Sequence, residues 1–183
     1  MFITLWLWGK DNNLRDTSGT VLLGNNNDAS GNTVNTFVSG KNHHVNSGSQ
    51  NVALGENSHL QSSTNSILSG LNNIATSVLN SIGFGNQNNL NTTTNSLTSG
   101  DQNKLKNTYA TTVIGSHNDA SNNTTNSLVS GSHNKDYNGQ YNASLGKLNH
   151  INNGEGNLVS GFNNTIIDAS MNTALGNNNT ITN

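Results

Sequence analysis

Residues 51–85 read NVALGENSHLQSSTNSILSGLNNIATSVLNSIGFG, and Gly55, Gly70 and Gly85 punctuate them at intervals of 15. Working outward, the same spacing recovers Gly40, Gly24 and Gly9 on one side and Gly100, Gly115, Gly131, Gly146, Gly161 and Gly176 on the other. The step is 15 residues, except for 16 between Gly24 and Gly40 and between Gly115 and Gly131. No pause separates one part from another, so residues 1–183 read as a single domain. A fixed period of this length is the signature of stacked repeats.

Aligned on these glycines, the other positions fall into columns. Three residues before each glycine stands a mostly apolar residue, among them Trp6, Val21, Phe37, Val52, Ile67, Ile82, Leu97, Leu128 and Leu158. Five residues after it stand Leu14, Ala29, Val45, Leu60, Ala75, Leu90, Leu105, Ala120, Asp136, Ile151, Ile166 and Ile181, where Asp136 alone breaks the pattern and Tyr137 is the expected substitute. Three residues after the glycine is usually Asn, with His43 and Ser58 as exceptions. Each period thus holds two short apolar segments, each followed by turn formers. Helices do not fit segments so short and so rich in Gly, Asn, Ser and β-branched residues. Two strands and two turns per period describe one coil of an all-β parallel solenoid, with about 15 residues per coil and about twelve coils. Glycine is expected to end one strand at a corner, and the asparagines to stack into ladders along the axis. At about 4.8 Å per strand, the coils predict a rod of roughly 55 Å.

A slower period is superimposed. The residue before the glycine alternates Ser39, Leu54, Ser69, Phe84, Ser99, Ile114, Ser130, Leu145, Ser160, Leu175, and the residue two positions earlier is large where this one is Ser. Residues two apart on a strand share a face, so both columns are expected to fill the interior. The column between them, including Leu22, Val38, Leu68, Val113, Val129 and Val159, is then expected to point outward. A continuous exposed apolar stripe marks an interface, and these six residues are the expected contact between copies packed side by side.

Charged residues are only 9% of the chain and the net charge is -2. The basic residues are scattered, which speaks against nucleic acid or an anionic membrane as partner. The absence of cysteine excludes disulfides and thiolate metal sites. The apolar start, Phe2 to Trp8, is too short to span a bilayer and lacks a signal-peptide pattern, so it reads as a first strand.

At this point the residues carry a resemblance. Asn51-Val52-Ala53-Leu54-Gly55, Asn142-Ala143-Ser144-Leu145-Gly146 and Asn172-Thr173-Ala174-Leu175-Gly176 are similar to the N-S-V-A-I/L-G repeat of YadA-like trimeric autotransporter adhesin heads. Asn65-Ser66-Ile67-Leu68-Ser69-Gly70 and Asn126-Ser127-Leu128-Val129-Ser130-Gly131 resemble its Ser-Gly variant. The resemblance covers nearly the whole chain. It implies a left-handed parallel β-roll, a side-by-side homotrimer, a bacterial cell surface as location, and binding of a host cell-surface receptor or extracellular-matrix protein. The chain departs from the family in placing Asn and larger aliphatics after the glycine, and in having no neck, stalk or anchor. It stops in mid-coil at Asn183, which suggests a fragment of a longer surface protein anchored in the outer membrane through other regions.

The same stretches resemble a grass-type ice-binding β-roll, for which a regular outward column of Thr20, Thr36, Asn51, Ser66, Ser81, Ser96, Thr111 and Ser127 would serve. The uneven neighbouring column argues against that use. A phage-type fibre segment shares the solenoid logic. No catalytic set, phosphate loop or zinc motif is present, so the expectation is a binding protein without enzyme activity, cofactor or metal. His117 and His133 hold the same position in successive coils and should lie about 5 Å apart, too few ligands for a metal site. Tyr109, Tyr137, Tyr141 and Phe162 fall outside the core columns and are the candidate contacts for a protein ligand. Trp6 and Trp8 are expected to cap the first coil.

Overall fold

The computed structural model describes residues 6–183, and the first strand observed is Trp6–Trp8. Phe2–Leu5 of the expected first strand lie outside the described residues. The chain divides into two compact units, residues 1–92 and 93–183. Each is a parallel β-solenoid of six coils, with one strand of a front sheet and one of a back sheet in each coil, and in the first unit a further short pair, Thr17–Ser18 with Thr33–Val34. In the first unit the front sheet is Trp6–Trp8, Val21–Asn25, Phe37–Lys41, Val52–Glu56, Ile67–Leu71 and Ile82–Asn86. Its back sheet is Asn13–Leu14, Asp28–Ser30, His44–Asn46, His59–Gln61, Ile74–Thr76 and Asn89–Thr94, which runs just past the division. In the second unit the front strands are Leu97–Asp101, Thr112–Ser116, Leu128–Ser132, Ala143–Lys147, Leu158–Phe162 and Thr173–Asn177. The back strands there are Lys104–Tyr109, Asp119–Ser121, Lys135–Tyr137, His150–Asn152, Thr165–Ile167 and Thr180–Thr182.

Within each unit every strand pairs in parallel with its equivalent one coil away, glycine on glycine: Gly55 with Gly70, Gly115 with Gly131. The glycines do not end the front strands, as the sequence suggested, but lie within them. Gly55 has φ +107, and a Cβ there would collide with the carbonyl oxygen of Gly70. Close stacking of one backbone on the next is what demands glycine here. The corners belong to other residues, which adopt left-handed φ three times per coil. In one coil these are Asn57, Ser62 and Asn65, at φ 55, 50 and 51. Even there the backbone bonds to the preceding coil, Asn57 N donating to Lys41 O at 2.9 Å, Ser62 N to Asn46 O at 2.9 Å and Asn65 N to Ser49 O at 3.0 Å.

The inside of each coil is narrow. The back sheet contributes the column five residues after the glycine, as expected: Ala29, Val45, Leu60, Ala75 and Leu90 in the first unit, Leu105, Ala120, Ile151 and Ile166 in the second, all buried. The front sheet contributes the column two residues before the glycine, against expectation. Leu22, Val38, Leu68, Val113, Val129 and Val159 are at most 1% exposed within a single chain. The two flanking columns face outward instead, with Phe37 at 38% and Leu128 at 37% exposed. The expected assignment was out by one residue, which on a strand exchanges the faces completely. A thin coil has room for Val, Leu, Ala, Thr or Ser but not for Phe or Trp, so the columns carrying Phe37, Phe84 and Trp6 take the outside. Trp6 and Trp8, on the first front strand, are 64% and 79% exposed. Asp136 is wholly buried, and Tyr137, next along the strand, faces outward and does not replace it.

Two polar ladders line the interior. In the first, Asn103 Oδ1 accepts the backbone N–H of Asn118 at 3.0 Å, and Asn118 Nδ2 donates to Ile114 O and Gly131 O at 3.1 and 2.9 Å. His43 fills one rung in the same way. Its Nδ1 accepts Ser58 N–H at 3.2 Å and its Nε2 lies 3.0 Å from Gly55 O, which places the ring proton on Nε2. Burial, the largest influence, holds the His43 imidazole below its usual pKa. The second ladder contains Thr20, Thr36, Asn51, Ser66, Thr111 and Ser127, all buried, so the column suited to ice faces inward. Its hydroxyls bond to corner carbonyls, as Ser66 Oγ does to Thr64 O at 2.9 Å.

Candidate binding surfaces

The front sheet's outer face presents apolar side chains in both units. In the first unit Phe37, Ile67 and Phe84 stand out from it, with Ser39 and Ser69 beside Phe37 and Ile67. In the second unit Leu128, Leu158, Ile114 and Leu175 do the same, with Ser130 and Ser160 beside Leu128 and Leu158. Large side chains thus step left and right on successive coils, giving a face with a two-coil repeat. The partner surface sought in Leu22, Val38, Leu68, Val113, Val129 and Val159 is not available there, because those side chains are enclosed by their own coil. The alternation that seemed to pack a core instead shapes an exterior.

The back sheet's outer face is polar. In the first unit His44 Nδ1 lies 3.0 Å from Asp28 Oδ2, and the His44 and His59 rings stack at 4.8 Å. Burial first, and the neighbouring His44 second, lower the pKa of His59. In the second unit Lys104 Nζ contacts Asp119 Oδ2 at 3.0 Å, and the Tyr137 hydroxyl donates to the same oxygen at 3.1 Å. Partial burial and the Asp119 carboxylate push the Tyr137 phenol up to about 12. Its ring meets His150 edge-on at 5.7 Å. Burial, then the charge of Lys135, lower the His150 imidazole.

Of the candidate ligand contacts, Tyr137 therefore lies on the back face. Tyr109 and Tyr141 are exposed on the short side between the two sheets, and Phe162 follows a front-sheet glycine, also exposed. The fold does not gather the four into one site. It does bring His117 and His133 together as the parallel register requires, rings stacked at 4.7 Å and 2° apart, each Nδ1 hydrogen-bonded to the preceding serine at 2.6 and 2.7 Å. Among the described residues no three histidine or carboxylate groups converge as a metal site, and no cavity opens.

Asp136 is the one ionisable side chain among the described residues that is fully enclosed in a coil and belongs to an aliphatic column. Asn142 Nδ2 donates to its Oδ1 at 3.2 Å, while Oδ2 has no partner. Burial raises its pKa to about 6. Gly139 makes the space, since a Cβ there would strike the Asp136 carboxylate. No protein-family model matches the sequence, and neither does any curated protein.

Proposed function

We propose that the chain is the head segment of a bacterial surface adhesin, assembled as a homotrimer that binds a host cell-surface receptor or matrix protein through its exposed solenoid surface. The observation that carries this reading is the apolar outer face of the front sheet, paired with a polar back sheet. Exposed apolar area of this continuity marks an interface, and three identical chains side by side would bury it from each subunit. The resemblance of the Asn-Val-Ala-Leu-Gly stretches to trimeric adhesin heads points the same way. The contact residues are then Phe37, Ile67, Phe84, Ile114, Leu128 and Leu158, in place of the enclosed column between them.

Light scattering on a size-exclusion column tests the assembly. The expected mass is three times the 19.3 kDa chain. Ile67→Glu combined with Leu128→Glu, both on outward positions, should give a single-chain mass with an unchanged β-type circular dichroism spectrum. A wild-type chain that stays monomeric at high micromolar concentration sinks the trimer. Binding of the assembled form to immobilised matrix proteins and host cells then tests the adhesin itself.

A further inference from the structure

Three of the chain's seven basic residues, Lys104, Lys106 and Lys135, lie on one small patch of the second unit's back sheet. Strand register fixes their array. One column runs Lys104, Asp119, Lys135, His150 and the next Lys106, Ser121, Tyr137, Asn152. With strands about 4.8 Å apart, the stems of Lys104 and Lys135 stand roughly 10 Å from one another. Asp119 is the only acid in these two columns within the unit, and Lys104 and Tyr137 already engage it. Lys106 and Lys135 are exposed and form no ion pair among the described residues. The outer face of this patch thus carries three lysines against one outward aspartate, with Asp136 enclosed beneath it, on a chain of net charge -2.

We propose that this face binds a sulfated polysaccharide. The face is flat and without a cavity, so it suits an extended polymer touching several strands rather than a small anion held in a pocket. Lys106 and Lys135 supply the sulfate contacts. Tyr137 lies two residues from Lys135 on the same strand and two coils from Lys106 in the same column, its hydroxyl anchored on Asp119, and presents an aromatic body to the apolar face of a sugar ring. Single-stranded nucleic acid is less well matched, since it prefers aromatic platforms under successive bases and this patch has one. The proposal goes beyond the adhesin reading and needs neither the trimer nor a bacterial surface.

Isothermal titration of the full chain with a heparin-derived oligosaccharide is the test, repeated at rising salt. The expected result is binding that weakens with salt, and a loss of about tenfold or more in Lys106→Gln/Lys135→Gln, as for other polyanion contacts. Tyr137→Ala should weaken binding further, with the β-type spectrum unchanged. Lys41→Gln/Lys147→Gln, on front strands, should bind like the wild type. Equal loss in that control pair overturns the assignment. So does equally tight binding of desulfated heparin, binding of a DNA oligonucleotide as tightly and with the same variant dependence, or no binding to heparin at physiological salt.

Discussion

Asp136 shows how a single residue can set the pH response of a coil. Its pKa is about 6 in the folded chain against 3.8 for the free side chain. Between these values the folded state holds the extra proton, so the contribution of Asp136 to stability rises as the pH falls from above 6 to below 3.8, by about 3 kcal/mol in total. Asp136→Leu, matching the aliphatic column, should therefore raise the melting temperature at pH 7, and its advantage should shrink as thermal melts are moved toward pH 4. A constant difference across that range would show that the carboxylate is not the cause. His43 works in the opposite sense. Its lowered pKa means that its contribution is complete above 6.5 and is lost as the pH falls through the lowered value. Both residues could be singled out in the sequence as departures from their columns. What each does there depended on knowing that both columns face inward. The sequence holds a second pattern at the inner corner. Where the inner corner residue is Gly48, Gly139, Gly154 or Ala169, the residue three later is Asn51, Asn142, Asn157 or Asn172. Where it is Thr33, Ser63, Thr108 or Thr124, that residue is Thr36, Ser66, Thr111 or Ser127. The longer amide takes the space the smaller residue leaves and reaches the next coil, as Asn157 Nδ2 does to Ala169 O at 2.9 Å.

At the level of the strand, glycine acts through the coil beside it. A Cβ at Gly115 would run into Gly131 O, whereas one at Gly176 meets only Asn179 Nδ2 at 3.7 Å. Both have φ above +100, so both pay conformational strain on substitution, but only the first adds a backbone collision. Gly115→Ala should lose at least about 3 kcal/mol, and Gly176→Ala distinctly less, as read from urea midpoints. Equal losses would mean that φ alone selects glycine. The period and strand type were legible because glycine and asparagine mark every coil. The facing of the front strands was not, because alternation in a strand is equally regular in either phase. The deciding signal was size. The enclosed column never holds an aromatic, while both flanking columns do, and that distinction required a sense of how little room a 15-residue coil encloses.

Over a whole unit, hydrogen bonds and side-chain contacts link each coil to its immediate neighbours, so stability accumulates coil by coil. Removing residues 59–73, one period, joins Ser58 to Ile74 with every column kept. That deletion should retain a β-type spectrum and a cooperative melt, while removing residues 59–65 should abolish the cooperative transition. Survival of both would mean that column register does not govern folding. The two 16-residue coils show where the fold already tolerates a change of length. Their extra residue falls at one corner, as the consecutive left-handed pairs Gly31-Asn32, at φ 68 and 67, and Asn122-Asn123, at φ 60 and 68. Both follow the same local phrase, Asp28-Ala29-Ser30 and Asp119-Ala120-Ser121, and precede Thr33 and Thr124, whose hydroxyls fasten the corner to Ser30 O and Ser121 O at 2.6 and 2.8 Å. Neither sheet loses its register across these insertions. The corner therefore behaves as a splice point, where a foreign loop can be grafted and displayed while the coils on either side keep their count.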